Sequence, residues 1–381
     1  MTRIFLYVTH LLGSGHLQRT ALIARALVAR GASVRLATGG RPIAHLDLSG
    51  LDAIQLPPVA SADEGFRNLV DERGRPIDEA WRQARTRCLL DALRSFSPDA
   101  LVIETFPFGR RQLAFEIDAL IAHARARVPR PILLSSVRDI LQARGADVAR
   151  AMVARAREAF DAILVHGDPA LVRLEESFPA AAALGERIRY TGYVAGPAAA
   201  PIESTERHEV VVSTGGGAVG ERLLRAALAA RPDTVLARVP WRLIAGRELP
   251  EAAFAAIQTE AGAGIVVERA HAAFRATLAD AALSVSQAGY NTVMDILEAR
   301  VPAVLVPYVG IGQTEQSLRA AKLAARGLAC VVDEGALDGA TLAAAIDAAM
   351  ARGRSDSSGI DRNGADTSAR LVLESVAARR P

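Results

Sequence analysis

Residues 283–316 read LSVSQAGYNTVMDILEARVPAVLVPYVGIGQTEQ, and two strand-turn-helix passages follow each other within them. Leu283 to Ser286 is a short apolar run that predicts a strand. Gln287-Ala288-Gly289 is a turn of small residues, and the helix after it carries Val293, Ile296 and Leu297 on one face. The plan then repeats. Ala303 to Val306 is apolar between Pro302 and Pro307, Gly310-Ile311-Gly312 turns the chain, and a helix begins near Thr314 with Glu315 and Gln316 in its first turn. A helix that starts after such a turn presents unpaired backbone N–H groups and partial positive charge. Two of them side by side predict a ligand with several polar parts, a phosphate among them.

The same plan opens both halves of the chain. Arg3 to Thr9 predicts a buried strand, residues 10–16 a turn containing Gly13 and Gly15, Leu17 to Arg30 an amphipathic helix ended by Gly31, and Ser33 to Thr38 the next strand. This opening is not the dinucleotide fingerprint, because His16 follows the second glycine and Thr38-Gly39-Gly40 stands where an acidic residue would close the second strand. An NAD site is therefore disfavoured. Strands at Ala53–Leu56, Ala100–Glu104, Pro131–Ser135 and Ala162–His166 alternate with helical stretches, which predicts an open parallel sheet. Ligands of such sheets sit at the carboxyl ends of the strands, where His16, Glu104, Arg110, Arg111, Arg138, Asp139 and His166 fall.

Residues 1–195 thus form a first domain, and the Pro- and Ala-rich residues 196–207 a linker. A second domain over residues 208–352 starts with the strand Glu209–Ser213, the turn Thr214-Gly215-Gly216-Gly217-Ala218 and a helix over Gly220–Ala230. Residues 353–381 are a polar segment and a last helix, over Thr367–Ala378, that is expected to pack back on the first domain.

The 381 residues suit two domains. Half are hydrophobic and only 4% aromatic, so the cores are expected to be small and aliphatic. With 45 basic and 42 acidic residues the net charge is +3 and no basic tail stands out, which argues against a nucleic-acid partner. Cys88 and Cys330 lack the spacing of a disulfide framework or a zinc site, and a reducing cytoplasm fits them. No apolar run reaches a membrane span, so the protein is expected to be cytoplasmic.

Two Rossmann-like lobes with GSGHLQR in the first, and STGGGAVGE and SQAGYNTVMDILEARVPAVLVP followed by TEQ in the second, resemble the GT-B glycosyltransferases, and among these the bacterial MurG-like group with a family 28-type C-terminal domain. The resemblance implies two parallel-sheet lobes facing each other across an interdomain cleft. It implies transfer of a sugar, an N-acetylhexosamine in this group, from a UDP-sugar to an acceptor hydroxyl, with inversion and without a metal. Its implied donor residues are Thr214, Gly215, Gly216 and Gly217 with Ser286, Ala288 and Gly289 at the diphosphate. Asp295 is implied at the ribose, where Glu is usual, Glu315 and Gln316 at the sugar, and the backbone at Arg269-Ala270 under the base. In the first lobe, Gly13 and Gly15 would shape the loop and His16 would be the general base, with Glu104 a second candidate. The nucleotide sugar is a co-substrate, so no further cofactor is implied. The acceptor is unidentified, and a lipid-linked or glycan acceptor would bring peripheral contact with the inner membrane face. Two other functions stay open. The G-x-G-H-x-x-R run from Gly13 to Arg19 also resembles nucleotide-sugar hydrolases, in which the histidine activates water, and a non-catalytic sugar-nucleotide binding protein would need only the second-lobe pocket.

Overall fold

The structure, a computed structural model, describes residues 1–11, 13–43, 46–63, 68–196, 208–215, 219–271, 273–310, 314–354 and 356–379. Most of the linker therefore lies outside the described residues, as do Gly216, Gly217 and Ala218 of the second glycine turn and Ile311 and Gly312 of the third. The chain divides into two compact units, Met1–Ala195 with Asp361–Pro381, and Gly196–Ile360.

The first unit is built on strands β1 (Arg3–Val8), β2 (Ser33–Thr38), β3 (Asp52–Gln55), β6 (Ala100–Glu104), β7 (Ile132–Arg138), β8 (Ala162–His166) and β9 (Ile188–Tyr190). A small hairpin, β4 (Ala60–Ser61) and β5 (Leu69–Val70), lies between β3 and β6. Its helices are α1 (Gly15–Ala29), α2 (Glu79–Phe96), α3 (Ala114–Ala126), α4 (Ala146–Ala159), α5 (Leu174–Ser177) and, from the far end of the chain, α12 (Gly364–Ala377). The sheet order is β3-β2-β1-β6-β7-β8-β9, and every pairing is parallel.

Helices cover both faces of this sheet, so its inner strands are apolar runs rather than alternating ones. Ile4, Leu6 and Leu36 pack with Leu17, Ile23 and Leu27 of α1 and with Ala369, Val372 and Val376 of α12. Phe5, Tyr7, Leu101 and Ile103 face the other way, against Leu89 and Leu93 of α2 and Ile117 and Leu120 of α3. Glycine is required where α12 begins, because a Cβ on Gly364 would stand 2.4 Å from the Gly192 carbonyl oxygen.

The second unit contains β10 (Glu209–Ser213), β11 (Trp241–Ala245), β12 (Ile265–Arg269), β13 (Ala281–Ser286), β14 (Ala303–Leu305) and β15 (Cys330–Val331), in the order β12-β11-β10-β13-β14-β15, again all parallel. Its helices are α6 (Glu221–Ala230), α7 (Glu251–Glu260), α8 (Phe274–Ala279), α9 (Tyr290–Ala299), α10 (Glu315–Ala325) and α11 (Gly339–Arg352). Val210, Val212, Leu243, Leu283 and Val285 form its core with Leu223 and Leu224 of α6 and Leu342 and Ile346 of α11. Trp241 is buried in that core and its Nε1 donates to the Leu236 carbonyl at 3.1 Å.

A buried ionic group underlies the site edge of the first sheet. Arg85 of α2 and Glu116 of α3 are fully buried and joined by two hydrogen bonds of 2.7 and 3.0 Å. Tyr7 donates to the same carboxylate at 2.5 Å, and burial pushes its hydroxyl far above the usual tyrosine value. Arg85 also donates to the carbonyls of Gly39, at 2.9 Å, and Pro57, and to Thr9 Oγ1 at 3.1 Å. One guanidinium thus ties together the loops that leave β1, β2 and β3. Removing it strands a carboxylate in the core. Arg85→Met is expected to destabilise the first unit by roughly 3–5 kcal/mol, and Arg85→Met/Glu116→Gln to regain part of that, as read from urea unfolding curves.

Candidate active site

Each sheet reverses its strand order once, at β1/β6 in the first unit and at β10/β13 in the second. Loops leaving adjacent strands at such a point diverge to opposite faces and open a crevice at the carboxyl edge. Of the residues singled out by sequence, His16 and Glu104 lie at the first reversal and Thr214, Gly215 and Ser286 at the second. Arg138 and His166 instead end β7 and β8, Arg269 ends β12, Asp295 lies within α9, and Glu315 and Gln316 open α10.

In the first unit Gly13 takes φ +64°, a left-handed conformation natural to glycine, and delivers the chain to Gly15 at the start of α1. No side chain caps this helix start. His16 stands in its first turn, and its carbonyl accepts from Thr20 Oγ1 at 2.9 Å. Glu104 is the last residue of β6. Its Oε1 lies 2.6 Å from His16 Nδ1 and 2.5 Å from Arg19 Nη2. The carboxylate is only 1% exposed and the imidazole 18%.

An ionised carboxylate can only accept, so Nδ1 carries the hydrogen and the Nε2 lone pair is left as a base. Burial lowers His16 to about 4, helped by the cations Arg110 and Arg19 and opposed by Glu104. Burial alone would raise Glu104, but His16, Arg19 and Arg110 outweigh it and hold the carboxyl well below its usual range. The outcome is a neutral, oriented imidazole at neutral pH.

The loop after β6 brings one of these cations in. Thr105 and Arg110 adopt φ of +66° and +60°, and Arg110 Nε donates to the Thr9 carbonyl at 2.8 Å. Asp139 is buried and accepts from Tyr193 Oη at 3.1 Å, Arg138 is half-buried and Arg111 exposed. His166 is buried between Ser136 Oγ, at 2.6 Å, and Thr191 Oγ1, at 3.0 Å, and burial keeps it neutral, at about 3.

In the second unit Thr214 Oγ1 accepts from the Gly246 amide at 3.0 Å. Gly215 takes φ +71°, and a Cβ on Gly220 would lie 2.3 Å from Thr214 Cβ, which fixes glycine at the entry to α6. Ser213 and Ser286 are paired in the sheet, and their buried hydroxyls meet no hydrogen-bond partner among the described residues. Gly289 is the uncapped N-terminal boundary of α9. Ala288 is buried, and its carbonyl accepts from Arg319 Nη1 at 3.0 Å.

Arg319 is itself fully buried on α10, and its Nη2 pairs with Glu315 at 2.9 Å. Gln316 Oε1 accepts from the Tyr308 amide at 3.1 Å. Asp295, 13% exposed, pairs with Arg275 Nε at 2.8 Å, and burial outweighs that cation to push its carboxyl up to about 6. The Arg269 side chain is engaged elsewhere. It donates to the carbonyls of Gly246, Arg247 and Leu249, pairs with Glu251 and lies 4.3 Å over the Phe254 ring. Among the described residues no group of three or more His, Cys, Asp or Glu side chains could hold a metal ion.

Sequence reasoning met Arg19 only as the end of the G-x-G-H-x-x-R run and missed Arg275 and Arg319; all three are helical arginines that pair with the singled-out carboxylates. Only the spacing of Arg19 one helical turn after His16, and of Arg319 one turn after Glu315, carried a signal.

Comparison with known proteins agrees with this architecture. Residues 210–370 match the glycosyltransferase family 28 C-terminal domain. By sequence the chain matches no curated protein. Solved structures are similar along its whole length. MurG of Acinetobacter baumannii is 14% identical with a TM-score of 0.62, covering 98% of this chain and 99% of its own. The calicheamicin glycosyltransferase CalG4 is 18% identical with a TM-score of 0.61 over 99% of both chains. The glycosyltransferase VinC, solved in complex with dTDP, is 16% identical with a TM-score of 0.61, over 99% of this chain and 96% of its own.

The chain therefore has the GT-B fold of glycosyltransferases, an α/β fold of two lobes. Its residues 210–370 resemble the family 28 C-terminal domain, and MurG is among the structures that share its fold.

The two turns of the second-unit edge are joined by a single buried guanidinium. Arg319→Met leaves the Ala288 carbonyl and the Glu315 carboxylate without it, and is expected to destabilise the second unit by roughly 3 kcal/mol. Arg319→Lys should recover only a part, since an ammonium lacks the forked geometry, and thermal melts of the three proteins check the order.

Proposed function

We propose that this protein is an inverting glycosyltransferase that moves a sugar from a UDP-sugar to an acceptor hydroxyl, with His16 as the general base. The observation that carries this reading is the half-buried imidazole held through Nδ1 by Glu104 at the strand-order reversal, with Nε2 left to take a proton. Glu104 then orients His16 rather than acting as a second base.

In the proposed reaction His16 Nε2 accepts the acceptor's hydroxyl proton as the oxygen bonds to the anomeric carbon. The bond from that carbon to the nucleoside diphosphate breaks on the opposite face, and the configuration inverts. The leaving diphosphate carries the developing charge. Amides of the Gly215 turn and of the α9 N-terminus, beside Ser286, Ala288 and Gly289, are suited to stabilise it, which supports chemistry without a metal. Asp295, its Oδ1 held by Arg275, accepts from the ribose hydroxyls. This favours a ribonucleotide such as UDP over a deoxyribonucleotide. Glu315 and Gln316 are the candidates for the sugar hydroxyls, those of an N-acetylhexosamine in the MurG-like reading. The backbone by Arg269 and Ala270 is the candidate for the base.

In this reading the acceptor is lipid-linked or a glycan and is taken by the first unit, and the protein works in the cytoplasm, at the inner membrane face when the acceptor is a lipid. No helix among the described residues is long and apolar enough to cross a membrane.

A panel of UDP-, GDP- and dTDP-sugars, with and without alcohol acceptors, tests the reading. UDP should bind best, and turnover should require an acceptor. Rapid release of free sugar in water alone would instead establish a hydrolase. His16→Ala should keep donor affinity and lose about 10²–10⁴-fold in rate, and full activity in that variant would remove His16 from the mechanism. Because only the neutral imidazole accepts a proton, kcat at saturating donor should stay level around neutral pH and fall as pH drops towards about 4. Asp295→Ala should weaken UDP binding by roughly tenfold or more in calorimetry.

A further inference from the structure

Arg19 converges with His16 on one atom. Its Nη2 lies 2.5 Å from Glu104 Oε1, the oxygen that His16 Nδ1 approaches at 2.6 Å, and 3.4 Å from Nδ1 itself. Arg19 is 3% exposed and stands one turn after His16 on α1, so both donors rise from the same rigid element. The other carboxylate oxygen, Oε2, is buried and meets no hydrogen-bond partner among the described residues.

We infer that Arg19 is the positioning residue of this site: by sharing Glu104 Oε1 with His16 it decides which carboxylate oxygen the imidazole meets, and it limits how basic the carboxylate makes the ring. This rests on the reading of His16 as a base. A carboxylate facing only His16 would have two equivalent oxygens and a full negative charge to offer. Bonded to a guanidinium, it offers one fixed lone pair and little net charge. The imidazole is then oriented without being made basic enough to stay protonated at neutral pH.

The other groups around His16 do not supply this clamp. Arg110 enters from the loop after β6 and bonds to the Thr9 carbonyl, and Thr105 Oγ1 is 3.5 Å from Nδ1. His166 on β8 is engaged with Ser136 and Thr191, and His10 Nε2, after β1, with the Arg41 carbonyl at 2.9 Å. Arg110 lowers His16 as Arg19 does and Glu104 raises it, all against a background set by burial.

The test is nitrogen-detected NMR of the histidine rings in the full-length protein without ligand, comparing wild type, Arg19→Gln and Arg19→Lys. His16→Ala serves only to assign the signal. Wild type should show His16 as the Nδ1–H tautomer with an acidic titration midpoint. Arg19→Gln should move that midpoint up by about one pH unit while the neutral ring keeps its Nδ1–H, and Arg19→Lys should stay near wild type. Arg25→Gln, which removes an exposed arginine of the same helix, should change neither. A folded Arg19→Gln protein with His16 unmoved, or moved down, would overturn the inference. If Arg19→Gln does not fold, the wild type still decides: the Nδ1–H of His16 and an Nη–H of Arg19 should both be protected from exchange, and loss of both overturns it. With a donor and acceptor found, Arg19→Gln should lower kcat and leave donor KM unchanged. That arm fails if the transferase reading fails, whereas the NMR arms do not depend on it.

Discussion

The reversal of strand order in each sheet is the constraint on which the remaining structure depends. Parallel strands must be joined by crossovers of one hand, so a chain that starts in the middle of a sheet and winds outward both ways leaves two loops diverging where it began. In the first unit those loops follow β1 and β6, and in the second β10 and β13. The reversal places His16 beside Glu104 although 88 residues separate them. It also places the Thr214-Gly215 turn beside Ser286, whose strand is in register with Ser213. Polar chemistry collects there because nothing in the sheet covers the strand ends.

Such an edge has to be held in shape, since the groups on it do not hold themselves. Burying charge to do so is tolerable only when each charge meets a partner, and the first unit does it with Arg85, Glu116 and Tyr7 beneath the loops that leave β1, β2 and β3. The second unit uses Arg319 for the same purpose, joining the turn after β13 to the start of α10. Both guanidiniums are completely buried and both bond to backbone carbonyls of site loops. A methionine could fill either space but could not satisfy those carbonyls.

The parts legible in the sequence were those encoded by neighbours along the chain. Apolar runs such as Ala303 to Val306, and glycines at turns, mark the strands and their ends, because a strand buried on both faces needs no polar position. The short edge strand β9 went unmarked, since Ile188, Arg189 and Tyr190 carry no apolar run and none of the three is buried. The last helix, read from Thr367, starts at Gly364. What could not be read was pairing across the fold. Arg85 and Arg319 look in the sequence like the solvated arginines of other helices, and only the tertiary structure separates them, with Arg19, from the rest.

One plan, used twice, has been given opposite chemistry at its two edges. At the first, an imidazole, a carboxylate and several guanidiniums stand within each other's fields, so proton positions there are set by burial and neighbouring charge. At the second, the elements nearest the strand ends are hydroxyls, glycines and an uncapped helix N-terminus, and the carboxylates Asp295 and Glu315 are each already met by an arginine. On the proposed reading the first edge moves a proton and the second holds an anion. A group-transfer reaction needs both, and needs them kept apart. A diphosphate set among the first edge's cations would pull the imidazole towards its protonated form.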